Sequence, residues 1–199
     1  SVHLLRGHVE NINSIDFSTD GKYAVTASSD KSAMLWDTHS GQLVYMVTPQ
    51  EHAVMIARFS PDNKQLLIGC ADGKSFTWSV VEKRIIKVLQ EKKTEGIISF
   101  PAMEKNAVRE AVFSADGTHV LTQTVEGIVT VYLTSTGTLV YTGKTADPNF
   151  LLPAQRLAGF TPDAKKLLLL VPNGFRLIDL KDTLNILSPE NKADQGFVN

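Results

Sequence analysis

From Gly7 to Asp37 apolar and polar residues alternate in three short runs. Ile12, Ile15 and Phe17 mark the first run, and Tyr23, Val25 and Ala27 one face of the second. Ala33, Leu35 and Asp37 share a face of the third, with Met34 and Trp36 on the other. Alternation of this kind belongs to half-buried strands, so three strands are expected. Two turns join them. Ser18 to Gly21 ends in an Asp-Gly pair, suited to a tight turn because glycine takes positive φ at no steric cost. Ser29, Asp30 and Lys31 form the second turn.

The unit recurs. Phe17, Phe59, Phe113 and Phe160 each open a run of Ser or Thr, a variable residue and Asp, at spacings of 42, 54 and 47. Asp30, Asp72 and Glu126 each lie 12 residues after the Ser of their turn, and Trp36, Trp78 and Tyr132 each follow 6 later. The fourth copy is degenerate, with Pro172-Asn173-Gly174 at the turn and Ile178 in the Trp place, while Asp179 keeps the place of Asp37. Identical internal spacing in three copies marks a repeat architecture, in which each unit buries its apolar faces against its neighbours.

The Gly7-His8 opening and the Trp36-Asp37 ending resemble one repeat of the WD-repeat β-propeller family, and the resemblance runs from Val2 to Leu187. It implies an all-β propeller of four-stranded antiparallel blades. Four blades are expected at 7–48, 52–90, 107–142 and 154–187, preceded by one orphan outer strand at Val2–Leu5. Residues 1–187 then form the propeller segment, and 188–199 a polar C-terminal tail or linker. Two insertions interrupt the series, at 90–106 and 143–153. Rings of this family usually have about seven blades. An open arc of four would expose two apolar sheet faces. Three solutions stand side by side: the chain is a piece cut from a longer propeller, two chains join as half-rings, or the ring closes with few blades.

Charge changes this picture only by exclusion. Twenty basic and 21 acidic residues leave a net charge of −1, without the basic excess that favours nucleic acid. The single cysteine, Cys70, permits no internal disulfide, which fits a reducing compartment and makes a cytoplasmic location the expectation. No run approaches the ~20 apolar residues that span a bilayer, so no membrane partner is expected. The chain opens on Ser1 rather than Met, so the lack of a leader says little.

His8, Ser28, Asp30 and Trp36 carry the groups of a hydrolase triad, but no Gly-x-Ser-x-Gly elbow exposes a nucleophile. The family resemblance implies instead a buried hydrogen-bond chain pinning the leading loop to the sheet: Trp donates, Ser relays, His bridges and Asp accepts. His52, Asp72 and Trp78 keep the set in the second blade, with Cys70 in the serine's place as a buried, weakly bonding thiol. In the third, Thr124, Glu126 and Tyr132 are imperfect substitutes. The histidines are scattered, none at ligand spacing to Cys or another His, so no metal is expected. No Gly-rich phosphate loop points to a cofactor.

Function is therefore expected on a surface. The resemblance implies a non-catalytic scaffold that binds protein or peptide and mediates assembly of a complex, on the face carrying the leading loops. The alternative is a sensor or regulatory propeller module excised from a larger multidomain signalling protein. Alignment of the blades places Asn13, Met55, Arg109 and Arg156 in one slot, and Ser29, Ala71 and Val125 in another. In the family both sets face the partner. Two arginines in one slot suggest an acidic or phosphorylated ligand, since guanidinium pairs bidentately with carboxylate and phosphate.

Overall fold

A computed structural model of the chain describes residues 2, 4–47, 50–89, 106–145, 158–171 and 174–181. These residues form fifteen strands and no helix. The first blade is the antiparallel sheet β1 (Ile12–Phe17), β2 (Tyr23–Ser28), β3 (Ala33–Asp37) and β4 (Leu43–Val47), in that order. The second repeats it with β5 (Val54–Phe59), β6 (Gln65–Cys70), β7 (Ser75–Ser79) and β8 (Arg84–Leu89). The third does so with β9 (Val108–Phe113), β10 (His119–Thr124), β11 (Ile128–Leu133) and β12 (Leu139–Lys144). In the fourth, β13 (Ala158–Phe160), β14 (Lys166–Val171) and β15 (Gly174–Asp179) pair antiparallel. Its expected outer strand, Thr183–Leu187, lies outside the described residues, as do most of both insertions and the tail.

The expected orphan strand has no ladder among the described residues. Val2, Leu4 and Leu5 are not strand. A strand exists through the ladder it joins, and no sheet among the described residues offers these residues one. Leu5 packs instead on Ala24, Met34 and Trp36.

The first turn of each blade is built alike. The hydroxyl of Ser18 donates to Asp20 Oδ1 at 2.7 Å and accepts the amide of Tyr23 at 2.9 Å. Ser60 with Asp62, Ser114 with Asp116, and Thr161 with Asp163 repeat the first bond at 2.6, 2.7 and 2.6 Å. The next residue holds positive φ in all four: Gly21, Asn63, Gly117 and Ala164.

The blades stack through alternation. Val25, Ala27, Ala33 and Leu35 point from the first blade into the second, where Val54, Ala57, Phe59, Leu66, Ile68 and Phe76 meet them. Ile56, Leu67 and Leu89 meet Val108, Ala111 and Val120 between the second and third. Leu121, Val129 and Val131 meet Ala158, Leu167 and Leu169 between the third and fourth. Leu66, Leu67 and Ile68 are fully buried although consecutive, because both faces of a middle blade are covered. Each such side chain contributes roughly 1.5–3 kcal/mol on burial. The two end faces differ. Ile15 and Phe17 are 51% and 57% exposed, where their second-blade equivalents Ala57 and Phe59 are 0% and 8%. At the other end Phe175 and Leu177 are 70% and 51% exposed.

Candidate functional site

In the first blade the leading loop is clamped by a chain of polar groups. Trp36 Nε1 donates to Thr26 Oγ1 at 2.9 Å, His8 Nε2 lies 2.7 Å from the same hydroxyl, and His8 Nδ1 lies 2.8 Å from Asp30 Oδ2. The carboxylate can only accept, so Nδ1 carries the proton, Nε2 accepts, and Thr26 passes its hydrogen to the ring. Asp30 also accepts the Val9 amide at 3.1 Å, the Ser32 amide at 3.0 Å and the Ser32 hydroxyl at 2.6 Å. Burial pushes the Asp30 carboxyl upward, but the Ser32 hydroxyl, the His8 ring and the two amides outweigh it and hold it at about 2. A Cβ on Gly7 would come within 2.8 Å of Met34 Sδ and 3.0 Å of the Trp36 ring, so the Gly-His pair lets the loop lie directly on the indole. The His8 and Asp30 side chains are almost wholly enclosed and Thr26 is buried, which leaves a substrate no approach.

The relaying hydroxyl is that of Thr26, not Ser28. Register explains the difference. Trp36 sits opposite Ala24, and Thr26 is two residues along the same face. Ser28 is four residues along, ~13 Å at strand rise, beyond the indole's reach. Its hydroxyl serves the turn instead, accepting the Asp30 amide at 3.1 Å and donating to the Glu10 carbonyl.

The second blade does not repeat the chain. No hydrogen bond among the described residues joins His52, Asp72 and Trp78; Asp72 accepts the Lys74 amide at 3.1 Å and pairs with its ammonium. Ile68 stands where Thr26 stands, so the relaying hydroxyl is missing. His52, Asp72 and Cys70 line a cavity of 350 Å³. Burial and then the Asp72 charge push the Cys70 thiol up to about 12. The third blade has a hydroxyl at this place again: Thr122 Oγ1 lies 2.7 Å from Thr130 Oγ1, buried.

The first surface slot has an unforeseen geometry. The β1–β2 register passes from Ile12↔Ser28 to Ser14↔Ala27, leaving Asn13 as a bulge. Met55 is skipped between Val54↔Cys70 and Ile56↔Gly69, and Arg109 between Thr124↔Val108 and Gln123↔Glu110. Three blades thus carry a β-bulge at one equivalent residue, a device that re-aims a side chain out of the ladder. The apolar spacing carries the signal: 12, 15, 17; 54, 57, 59; and 108, 111, 113 each step by three, then two. Ser29, Ala71 and Val125 lie at the same end, each donating its amide across the blade to the carbonyl of Asn11, Ala53 or Ala107 at 2.9 Å. Asn13 ties neighbours together, donating to the Val54 carbonyl at 2.9 Å and accepting the Ser29 hydroxyl at 3.3 Å. Arg156 lies outside the described residues.

The family described as "WD domain, G-beta repeat" matches residues 1–37. Jouberin of Rattus norvegicus is 28% identical over 130 residues, covering 64% of this chain and 12% of that protein. The periodic tryptophan protein 2 homolog of Schizosaccharomyces pombe is 26% identical over 147 residues, 70% of this chain and 17% of that protein. Eukaryotic translation initiation factor 3 subunit I of Emericella nidulans is 29% identical over 121 residues, 61% of this chain and 32% of that protein. The chain therefore spans well under two thirds of the length of these relatives. Repeated four-stranded antiparallel blades, the buried Trp36–Thr26–His8–Asp30 chain and these matches agree: the chain is similar to proteins of the WD-repeat family, and its first 37 residues match one repeat of it.

Proposed function

We propose that this chain is a non-catalytic scaffold that binds a protein or peptide segment across the row of bulged residues Asn13, Met55 and Arg109. The observation that supports it is the recurrence of the bulge at one residue in three blades. Rigid neighbouring blades that each hold one re-aimed side chain lose little entropy when a ligand settles on them. The row is chemically mixed: an amide, a thioether that adapts to apolar shapes, and a guanidinium. Arg109 favours a ligand with an acidic or phosphorylated group at its end of the row. Proteins built on WD repeats generally act as interaction scaffolds, and one relative carries the name of a subunit of a translation initiation factor.

The end faces support a further part of this reading. Ile15, Phe17, Phe175 and Leu177 are exposed at positions whose equivalents are covered wherever another blade adjoins. Further blades, from a longer parent chain or a second chain, cover them in the assembled protein. The short share of each relative that the chain matches favours the longer parent, and with it a propeller module in a multidomain protein.

The test is affinity capture with the chain and with a Met55→Glu, Arg109→Glu variant. Proteins retained by the parent are expected to be lost with the variant, while its circular dichroism is unchanged. Unaltered retention of every captured protein would overturn the assignment of the binding face.

A further inference from the structure

Beneath the leading loop the first blade is closed, and the second blade is open at the same place. Gly7 lies against the Met34 and Trp36 side chains because it has no Cβ to hold it off. Glu51 stands in its place before His52, so the second loop carries a side chain where the first has none. Thr26, whose hydroxyl holds His8, is replaced by Ile68. What remains is the cavity of 350 Å³, a volume at the lower end of small-ligand sites, which run from roughly 300 to 1,000 Å³.

Register builds the apolar side of this cavity. Ile68 pairs with Phe76, and Phe76 with Val88, so these residues share one face of the blade. Cys70 lies two residues beyond Ile68 on that face, and Ile85 opposes Trp78, two residues beyond Phe76. Cys70 and Phe76 form a buried floor, and Ile85 and Val88 form walls exposed to solvent. The polar side is a carboxylate with acceptor capacity to spare. In the first blade Asp30 takes four donors: the Val9 and Ser32 amides, the Ser32 hydroxyl and His8 Nδ1. Among the described residues Asp72 takes two, the Lys74 amide at 3.1 Å and the Lys74 ammonium at 3.5 Å. Lys74 replaces Ser32 and brings no hydroxyl, and His52 does not bond to Asp72. The Asp72 side chain is nonetheless largely enclosed, at 17% exposure. The Lys74 ammonium is shared with Glu51 at 3.7 Å, so two carboxylates face one ammonium. No other Lys or Arg among the described residues lines the cavity.

An apolar slot that ends at an underused carboxylate, on a rim with excess negative charge, suits one side chain above others. Arginine combines an apolar stem with a planar head whose N–H groups meet a carboxylate in pairs. A lysine would only add a second point charge beside Lys74, without the paired bonds. We propose that this pocket holds an arginine side chain of a binding partner, its stem on Phe76, Ile85 and Val88 and its guanidinium on Asp72, while Glu51 keeps Lys74. Neither Met55 nor Arg109 lines the pocket, so the site stands apart from the row of bulges and is tested without it.

N-acetylarginine methylamide titrated into the full chain, followed by chemical shifts, tests this, with the citrulline derivative as the uncharged probe of the same shape. One saturable site is expected for arginine, with shifts at the Ile85 and Val88 methyl groups, and citrulline should bind at least tenfold more weakly. Asp72→Asn keeps the Oδ1 acceptor of its turn and should weaken arginine binding at least tenfold. Val88→Trp, at an exposed wall, fills the slot and should abolish binding. Asp20→Asn changes a carboxylate that lines no cavity and should leave binding unaltered. No saturable shift at Ile85 and Val88 would overturn the proposal. So would equal binding of arginine and citrulline, a comparison that needs no variant, or unaltered arginine binding by folded Asp72→Asn.

Discussion

At the scale of single residues, the buried chain in the first blade turns on one hydroxyl. Thr26→Val keeps the shape but leaves the Trp36 N–H and His8 Nε2 buried without a partner. The expected cost is about 1–3 kcal/mol in urea unfolding, against about 0.5–1.5 kcal/mol for Ser28→Ala, which loses only turn bonds. The sequence placed the four types Trp, His, Asp and hydroxyl together, but choosing between two hydroxyls two residues apart needs the cross-strand register. Acid should act on the same chain. The Asp30 carboxyl titrates at about 2 when folded and near 3.8 otherwise. Its contribution is therefore complete above 3.8 and is lost as pH falls through 3.8 towards about 2. Asp30→Asn should flatten the dependence of stability on pH in that window, measured by urea midpoints at stepped pH. Lys31 holds φ of 70° where the second and third blades have Gly73 and Gly127. Left-handed backbone costs a side-chain-bearing residue about 1–2 kcal/mol, and glycine returns ~0.4–1 kcal/mol of that in the unfolded chain. Lys31→Gly should therefore stabilise by about 0.5–1 kcal/mol, read as a raised urea midpoint.

At the scale of elements, strands and first turns were legible because each is a local matter. Alternation sets the strand, and the Ser-x-Asp turn closes on its own side chains. The bulges are less legible: a step of three in each first strand betrays them, where alternation alone predicts a period of two. Val2, Leu4 and Leu5 are unpaired among the described residues for the opposite reason: pairing depends on a neighbour, which no local pattern supplies. Contacts between blades are equally non-local. A Cβ on Gly69 would lie 2.6 Å from Val108 Cγ1 and 2.9 Å from Ile56 Cγ2, both stiff branched side chains. Gly69→Ala should therefore destabilise by about 1–3 kcal/mol through overpacking. A Val108→Ala change in the same chain should relieve part of that cost, as a double-mutant cycle of melting curves will show.

At the scale of the whole molecule, one repeat is used several times with unequal care. The first blade carries the full polar clamp, the second has lost it, and the end faces carry apolar residues in positions that are interior elsewhere. Phe17 and Phe59 are the same residue of the repeat, yet one is 57% exposed and the other 8%. In the isolated chain Phe17→Ala should change stability by under ~1 kcal/mol, whereas Phe59→Ala should cost about 3–5 kcal/mol. A large cost at Phe17 would mean that another blade covers it. What repeats most faithfully on the surface is the bulge, and the account rests on its being the place where partners bind. The most direct measurement puts a photo-cross-linking residue at position 13, 55 or 109, and in parallel at Ser40, Glu82 or Thr136, exposed turn residues at the opposite end of the blades. The account predicts cross-links to captured protein from the bulge positions and none above background from the turns. Cross-links confined to the turns would contradict it.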